Sequence, residues 1–170
     1  SKRSGIYCVQ FITFKACDRG IEVLQWWQDR CLEWCYARFE DGKFGDQKYL
    51  DDWPKRFAGV HVLDHLGGGV APWNIQQYVL RQHGAQFWVD DKPLIFYHFH
   101  GYKHYSDDTH DFSNYQLDPS VIELLYRPYV EALAKAYSEI NSVCPDFDRG
   151  RVRRQPWKML LQTLRRKLKG

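Results

Sequence analysis

Three short segments of this sequence carry side chains suited to binding a phosphorylated sugar. They are Asp46-Gln47, Ala71-Pro72-Trp73-Asn74 and His98-Phe99-His100-Gly101-Tyr102-Lys103. A carboxylate beside an amide offers acceptors and donors for a diol, and an indole offers a flat apolar face. Imidazoles can bind a divalent metal, and a lysine ammonium attracts phosphate. Their order along the chain is more informative than any one segment alone.

Asp46 and Gln47 stand at the predicted start of a helix, directly after Gly45. In the functional interpretation, the carboxylate and the amide hydrogen-bond sugar hydroxyls. The simpler interpretation is capping, because an acidic side chain is favoured near the free N–H groups of a helix N-terminus. Both interpretations are kept open.

Trp73 and Asn74 follow the glycine run 67–69. Trp73 could present a face for stacking on a sugar, and Asn74 an amide for two hydrogen bonds. The alternative is a buried tryptophan beside an asparagine that caps a turn. Aromatic residues make up 16% of the chain, so a tryptophan-rich core is the ordinary expectation. This motif therefore has little weight without the other two.

His98 and His100 carry the stronger signal. Alternate residues of a strand project from the same face, so their two imidazoles can converge. Gly101 permits close approach of a ligand or of the chain, and Lys103 adds a cation suited to phosphate. The alternative is that these rings and Phe99 simply pack on the two faces of a strand.

A metal-dependent hydrolase is a further alternative. Its site would combine the two imidazoles with other histidines and carboxylates downstream, namely His98, His100, His104, Asp107, Asp108 and His110. The spacing of these residues matches no zinc pattern. The sequence also contains no glycine-rich phosphate loop, no G-x-S-x-G motif and no convincing Cys-His nucleophile pair.

Hydrophobic periodicity predicts alternating strands and helices, as in a mixed α/β domain with a small sheet and flanking helices. Strands are predicted over 5–15, 60–66, 76–81, 86–89 and 94–100, and helices over 21–39, 46–52, 119–142 and from 156 onward. Gly42 and Gly45 should end the first helix, and Pro54 the second. Pro128 should kink or divide the helix over 119–142. The inner face of that helix is predicted to comprise Val121, Leu124, Leu125, Val130, Leu133, Ala134, Tyr137 and Ile140.

Charge separates the chain into an acidic body, 1–145, and a basic amphipathic tail, 146–170. From Arg149 onward there are nine Lys and Arg and no acid, whereas 15 basic residues accompany 21 acidic ones before it. The tail is predicted to dock on the body or to lie on an anionic membrane surface through 149–170. No nucleic-acid partner is expected, because no recognisable binding module accompanies the tail.

Cysteine usage favours a cytoplasmic protein. The five cysteines are odd in number and irregularly spaced, which argues against a disulfide framework and favours reduced thiols. No stretch approaches the roughly 18 apolar residues of a membrane span. The expected location is cytoplasmic, with peripheral attachment to the membrane as an alternative that depends on the tail.

In this order the three segments, over about residues 5–103, resemble the C-terminal half of retaining, family-8-like glycosyltransferases of the GT-A type and a related bacterial group. The resemblance implies a partial GT-A-like fold. It also implies transfer of a sugar from a nucleotide-diphosphate donor to a hydroxyl acceptor, assisted by Mn²⁺ or Mg²⁺. The implied roles are catalysis by Asp46 and Gln47, substrate binding by Trp73, Asn74, Gly101 and Lys103, and metal ligation by His98 or His100.

Two departures from the family pattern qualify that resemblance. Cys8 and Gln10 stand where an Asn and a Gly would follow Tyr7, and no Asp-x-Asp metal motif is present. The sequence therefore predicts the acceptor and diphosphate side of an enzyme without its nucleotide-binding half, as in a piece of a longer protein. Alone, the chain is expected to be inactive or very weak. The alternative is a non-catalytic carbohydrate- or partner-binding module on the same scaffold.

Overall fold

The chain divides into two compact units, residues 1–64 and 65–170. The structure is a computed structural model that describes residues 4–147 and 149–154. It contains helices and two small antiparallel sheets, which confirms the mixed α/β class at that level. The predicted helix from 156 onward lies outside the described residues.

The first unit is built around helix α1, Asp18–Glu33. The predicted helix over 21–39 is confirmed over residues 21–33, but its extension to 39 is wrong. Trp34 leaves the helix in an extended conformation, with φ −159°, and its indole N–H donates a hydrogen bond of 3.2 Å to Glu40. Val23 of α1 forms a small core with Leu50 and Trp53.

A 3₁₀ helix, Gln47–Asp52, runs directly into helix α2, Trp53–Arg56. The helical segment predicted over 46–52 is therefore present, but Pro54 does not end it. Proline is tolerated in the first turn of a helix, where its missing N–H has no intrahelical partner in any case. Pro54 occupies that position in α2.

The strands predicted over 5–15 and 60–66 are wrong, because neither stretch forms a strand within residues 4–147. Apolar side chains of the first stretch pack on the Val23 core instead of joining a ladder: Tyr7, Val9, Ile12 and Phe14. The second stretch ends in a 3₁₀ turn, Leu66–Gly68. Alternating apolar residues can thus be satisfied by packing alone, without a neighbouring strand.

The second unit contains a three-stranded antiparallel meander. Strands β1, Leu80–His83, and β2, Gln86–Val89, pair in register as the predicted hairpin, and β3, Lys92–Pro93, follows after a two-residue turn. The first strand starts later than predicted because Ile75–Gln77 forms a 3₁₀ turn. Two further short strands pair antiparallel: β4, Lys103–His104, and β5, His110–Asp111.

The predicted strand over 94–100 is also wrong, because only an isolated parallel bridge between Tyr97 and Val70 forms there. The His98 amide nevertheless donates a 3.0 Å hydrogen bond to the Val70 carbonyl, so the two segments run side by side. The chain then reverses at a turn that the Tyr102 amide closes on the Phe99 carbonyl.

Three helical pieces run without a break from 119 to 143: α3, Pro119–Val121, a π turn, Ile122–Tyr126, and α4, Arg127–Val143. The expected kink at Pro128 takes the form of this π turn. Pro128 has no N–H to give to the carbonyl four residues earlier, and a π turn shifts the hydrogen bonds by one residue. Asp118 caps the start by accepting a 2.8 Å bond from the Ser120 amide.

The core of the second unit lies between this helix and the meander. Its buried residues are Val70, Ile75, Val89, Tyr97, Val121, Leu125 and Tyr126. Val121 and Leu125 belong to the predicted inner face, whereas Ile140 is exposed and α4 contains no buried residue. The helix is therefore anchored through its first two turns.

The described start of the basic tail packs beside β4. The Val152 amide donates to the His104 carbonyl at 2.8 Å, and Arg154 pairs with Asp107 at 2.9 Å. Arg151 pairs with Asp108 at 3.2 Å. Residues 151–154 thus contact acidic side chains of the same unit, whereas the predicted docking of the tail helix concerns residues outside those described.

Candidate functional site

Trp73, His98 and His100 lie together on the second unit. The Trp73 ring centroid is 5.4 Å from each imidazole, and the two imidazoles stack 5.6 Å apart. Tyr115 adds a fourth ring, 6.4 Å from Trp73. We call these four residues the Trp73 cluster. Trp73 is 36% exposed, so it is a surface residue and not part of a tryptophan-rich core.

Asn74 holds the loop that presents Trp73. Its side-chain oxygen accepts a 2.8 Å bond from the Ala71 amide, and its side-chain nitrogen donates a 2.9 Å bond to the Gly69 carbonyl. Both ends of the amide are thus used within the loop, which is the turn-capping role that the sequence left open. Asn74 acts on the cluster by positioning Trp73.

Replacing Asn74 with alanine should lower the free energy of unfolding by about 1–3 kcal/mol. The fully buried Ala71 amide would lose its partner, and a buried unpaired donor is costly. Urea unfolding followed by fluorescence measures the change. Gln77→Ala, at an exposed position of the next turn, is the control and should change stability by less than about 0.5 kcal/mol. Equal effects of the two substitutions would contradict this role for Asn74.

The two imidazoles are held by backbone on both sides. The bond from His98 to Val70 fixes the incoming chain, and the Phe99–Tyr102 turn fixes the outgoing chain. That turn needs Gly101, whose φ of +79° lies in the left-handed region where side chains are strained. Gly101 was predicted to bind substrate, and in this structure it is the residue that allows the turn after His100 to form.

The electrostatics of the cluster favour a neutral His98 imidazole. Burial lowers the pKa of His98 below its ordinary value, and the neighbouring His100 lowers the pKa further. A neutral imidazole can accept a hydrogen bond or bind a metal through one nitrogen while it donates through the other. At neutral pH the cluster therefore offers both donors and acceptors beside an exposed indole.

The titration of His98 should reflect this environment. Because its pKa in the folded state lies below 6.5, the unfolded chain binds the proton more readily. The contribution of neutral His98 to the free energy of unfolding is therefore fully present above about pH 6.5. It is lost as the pH falls through the lowered pKa of His98 in the folded chain. Proton NMR should give a His98 midpoint below 6.5, and His98→Gln should lessen the acid sensitivity of unfolding. A midpoint at or above 6.5 would contradict the burial.

Lys103 lies in β4, opposite Asp111. Within the part of the chain that the structure describes, no hydrogen bond or ion pair of its ammonium is found. Its predicted contact with a diphosphate stays a prediction. The cation is separated from His100 by only two residues, so it remains close to the cluster along the chain.

The metal-ligand set is incomplete in the described residues. They contain no group of three or more His, Cys, Asp or Glu side chains placed to hold a metal ion. His98 and His100 could supply two nitrogens, whereas Mn²⁺ and Mg²⁺ prefer carboxylate and phosphate oxygens. For the hydrolase alternative, His104 is instead paired with Asp108 at 3.2 Å, and His110 with Tyr102 at 2.8 Å.

Asp46 and Gln47 belong to the first unit. Asp46 precedes the 3₁₀ helix without a capping bond from its side chain, so the structure does not support the capping interpretation. The Asp46 carboxylate also affects the Cys31 thiol. Burial raises the pKa of that thiol to about 11, with further contributions from Cys35 and Asp46. Gln47 donates a 3.4 Å bond to the Ser4 carbonyl. Their predicted gathering with the other two segments around one cleft stays a prediction.

Tyr115 is the member of the Trp73 cluster that the sequence did not single out. It lies in the stretch 104–118, which reads as a polar loop, and its ring is 45% exposed. An aromatic residue within a polar loop is the sequence feature that could have identified Tyr115, because loops that carry large exposed rings often bind ligands or partners.

Two proteins of Bacillus subtilis (strain 168), both described as uncharacterised, are similar to this chain. YfnD is 32% identical over 152 residues, which cover 87% of this chain and 49% of YfnD. YfnF is 36% identical over 149 residues, which cover 85% of this chain and 48% of YfnF. The chain thus spans about half the length of these relatives.

No protein-family model matches the chain, and no solved structure matches it. Among the described residues, the helices are too short or too polar to cross a lipid bilayer. The similarity to the two relatives extends over most of the chain, so it includes the segments that form the Trp73 cluster.

Proposed function

We propose that this chain forms the sugar- and diphosphate-binding side of a glycosyltransferase. The proposed reaction moves a sugar from a nucleotide-diphosphate donor to a hydroxyl acceptor, with retention of configuration. The observation that carries the proposal is the exposed Trp73 ring with two imidazoles 5.4 Å from it. The ordered resemblance of the three segments to family-8-like transferases supports the same reaction.

Each side chain of the cluster binds a different part of the ligand. The Trp73 indole stacks on the apolar C–H face of a sugar ring, because a flat aromatic surface buries such a face well. His98 and His100 exchange hydrogen bonds with hydroxyl or phosphate oxygens. Lys103, close along the chain, attracts the diphosphate as a point charge. In the proposal, Asp46 and Gln47 remain the pair that faces the transferred sugar.

The resemblance to family-8-like transferases also implies a divalent metal. Mn²⁺ or Mg²⁺ would stabilise charge on the leaving diphosphate when bound. The described residues supply two imidazoles and no carboxylate at the cluster, so this ligand set does not fit such an ion without additional oxygen ligands. We therefore assign no step to the metal. The cytoplasmic location and the affinity of the tail for anionic membranes are likewise proposals.

The proposal predicts binding that is insensitive to the nucleotide base. If the chain recognises sugar and diphosphate only, then UDP-glucose, GDP-glucose and ADP-glucose should bind with dissociation constants within about threefold of one another, a difference under about 0.7 kcal/mol. Calorimetric titration with and without Mn²⁺ measures this. Tight, metal-dependent binding that selects one base would place the nucleotide site in this chain and contradict the assignment.

A second candidate function is a non-catalytic carbohydrate- or partner-binding module. The observation that favours it is the incomplete metal-ligand set within the described residues. The two candidates differ in their need for Lys103. Lys103→Ala should weaken the binding of pyrophosphate and leave methyl glycosides unaffected if the diphosphate is recognised. A module that binds sugar alone would bind glycosides and show no binding of pyrophosphate before or after the substitution.

A further inference from the structure

Gln76 links the two loops of the second unit that carry the larger rings of the Trp73 cluster. Its side-chain nitrogen donates a 2.6 Å hydrogen bond to the Pro72 carbonyl and a 2.7 Å hydrogen bond to the Gln116 carbonyl. Pro72 directly precedes Trp73, and Gln116 directly follows Tyr115. Both protons of one amide group are thus used, each at the peptide bond beside one of the two rings.

The bond to Gln116 spans a gap between these loops. Among the described residues, no other hydrogen bond connects residues 71–78 with residues 113–117. A groove of about 500 Å³ lies beside it, lined on one side by residues between 75 and 80 and on the other by residues between 116 and 121. Side-chain packing therefore fills the gap only in part, and the Gln76 amide sets how closely the two loops approach each other.

The separation of the two rings decides how a ligand can use them. The centroids of Trp73 and Tyr115 are 6.4 Å apart, and the ring planes are inclined by 63°. A sugar enclosed between two rings would need about 7–8 Å, because each stacked contact takes about 3.5–4 Å. A sugar therefore has no room between them, and Tyr115 supports the indole instead of offering a second stacking surface.

We infer that Gln76 is a positioning residue of the Trp73 cluster, which holds Tyr115 against Trp73 and so fixes the orientation of the indole. It acts through two backbone carbonyls and needs no contact with a ligand. Without its two donors, Tyr115 should move away and leave the indole free to tilt. The effect of Gln76 on sugar binding rests on the proposed function, whereas its effect on the two rings does not.

Two substitutions that remove the donors test the inference. Gln76→Met keeps the length of the side chain without a polar atom, and Gln76→Glu keeps its shape but only accepts hydrogen bonds at neutral pH. We expect NOE cross-peaks between the rings of Trp73 and Tyr115 in the unsubstituted chain, and their loss in both variants. Gln77→Met, the same change at the adjacent exposed position, is the matched control and should keep them. Unchanged cross-peaks in both Gln76 variants would overturn the inference.

A double-mutant cycle tests the consequence for binding. Gln76→Met should weaken the binding of methyl glucoside roughly three- to tenfold, but by less than about twofold when Tyr115 has already been replaced with alanine. Equal losses in the two backgrounds, or no loss in either, would show that Gln76 does not act through Tyr115 and would overturn the inference. A chain that binds no glycoside before substitution contradicts the proposed function instead, and the NOE comparison alone then decides the role of Gln76.

Discussion

Replacing Trp73 with alanine should weaken the binding of methyl glycosides and of nucleotide-diphosphate sugars at least tenfold, or by about 1.4 kcal/mol. The indole is 36% exposed, and its ring centroid lies 5.4 Å from each imidazole. Its loss removes the stacking surface and the support of the two histidines together. Calorimetry or saturation-transfer NMR with methyl glucoside and UDP-glucose measures the change.

Trp73→Phe is the matched control. A phenyl ring keeps a flat apolar face, so binding should fall by no more than about threefold. Trp73→Ala should also lose some stability, because a ring that is 36% exposed has most of its surface covered, so binding is compared at a temperature at which both variants are folded. Binding of both ligands by Trp73→Ala with unchanged affinity would show that the cluster does not recognise the sugar.

Replacing Tyr126 with alanine should cost about 3–5 kcal/mol of unfolding free energy and unfold much of the second unit at 37 °C. Tyr126 is fully buried, and rings of Tyr97, Phe99 and Phe112 surround it with centroids 5.0–5.7 Å away. Alanine would leave a large cavity in the middle of this core. Chemical unfolding followed by circular dichroism measures the loss.

The control for this substitution is Tyr126→Phe, which removes only the hydroxyl. The Tyr126 hydroxyl lies 3.4 Å from that of Tyr97, which is a long hydrogen bond, and it also has the Ser113 side chain as a hydrogen-bond partner. We therefore expect a loss of about 1 kcal/mol or less. A similar loss in both variants would mean that the hydroxyl pair, and not the packing of the ring, stabilises the core.

Tyr126 also shows where sequence reasoning fails for a helix. A regular repeat of 3.6 residues assigned Val121, Leu124 and Leu125 to the inner face, and two of these are buried. The π turn before Pro128 inserts an extra residue into the repeat and rotates the following face. Proline predicts a disturbance of the helix, but its form depends on which hydrogen bonds the neighbouring turns can still make.

The strands were harder to predict than the helices. The hairpin of β1 and β2 was predictable because the glycine at 84 sits in a two-residue turn between two paired strands. The stretches 5–15 and 60–66 carry the same alternation but form no ladder in the described chain. Alternation reports which side chains need burial, and it contains no information on whether a partner strand is available.

Part of the Trp73 cluster could be predicted from spacing. His98 and His100, two residues apart, do converge, although the segment forms only one bridge and not a regular strand. The roles of Asn74 and Gly101 became clear only from the hydrogen bonds and the positive φ. Tyr115 is 42 residues after Trp73 along the chain, and no local pattern could have joined them.

The most direct test of the proposed function is an NMR titration that follows the indole proton of Trp73 and the ring protons of His98 and His100. Methyl glucoside, pyrophosphate and UDP-glucose are added in turn. We predict that UDP-glucose shifts all three sets of signals along one saturating curve, and that Trp73→Ala removes the response of the histidines. Signals that stay in place at millimolar ligand, or that move only outside the cluster, would contradict the sugar- and diphosphate-binding role.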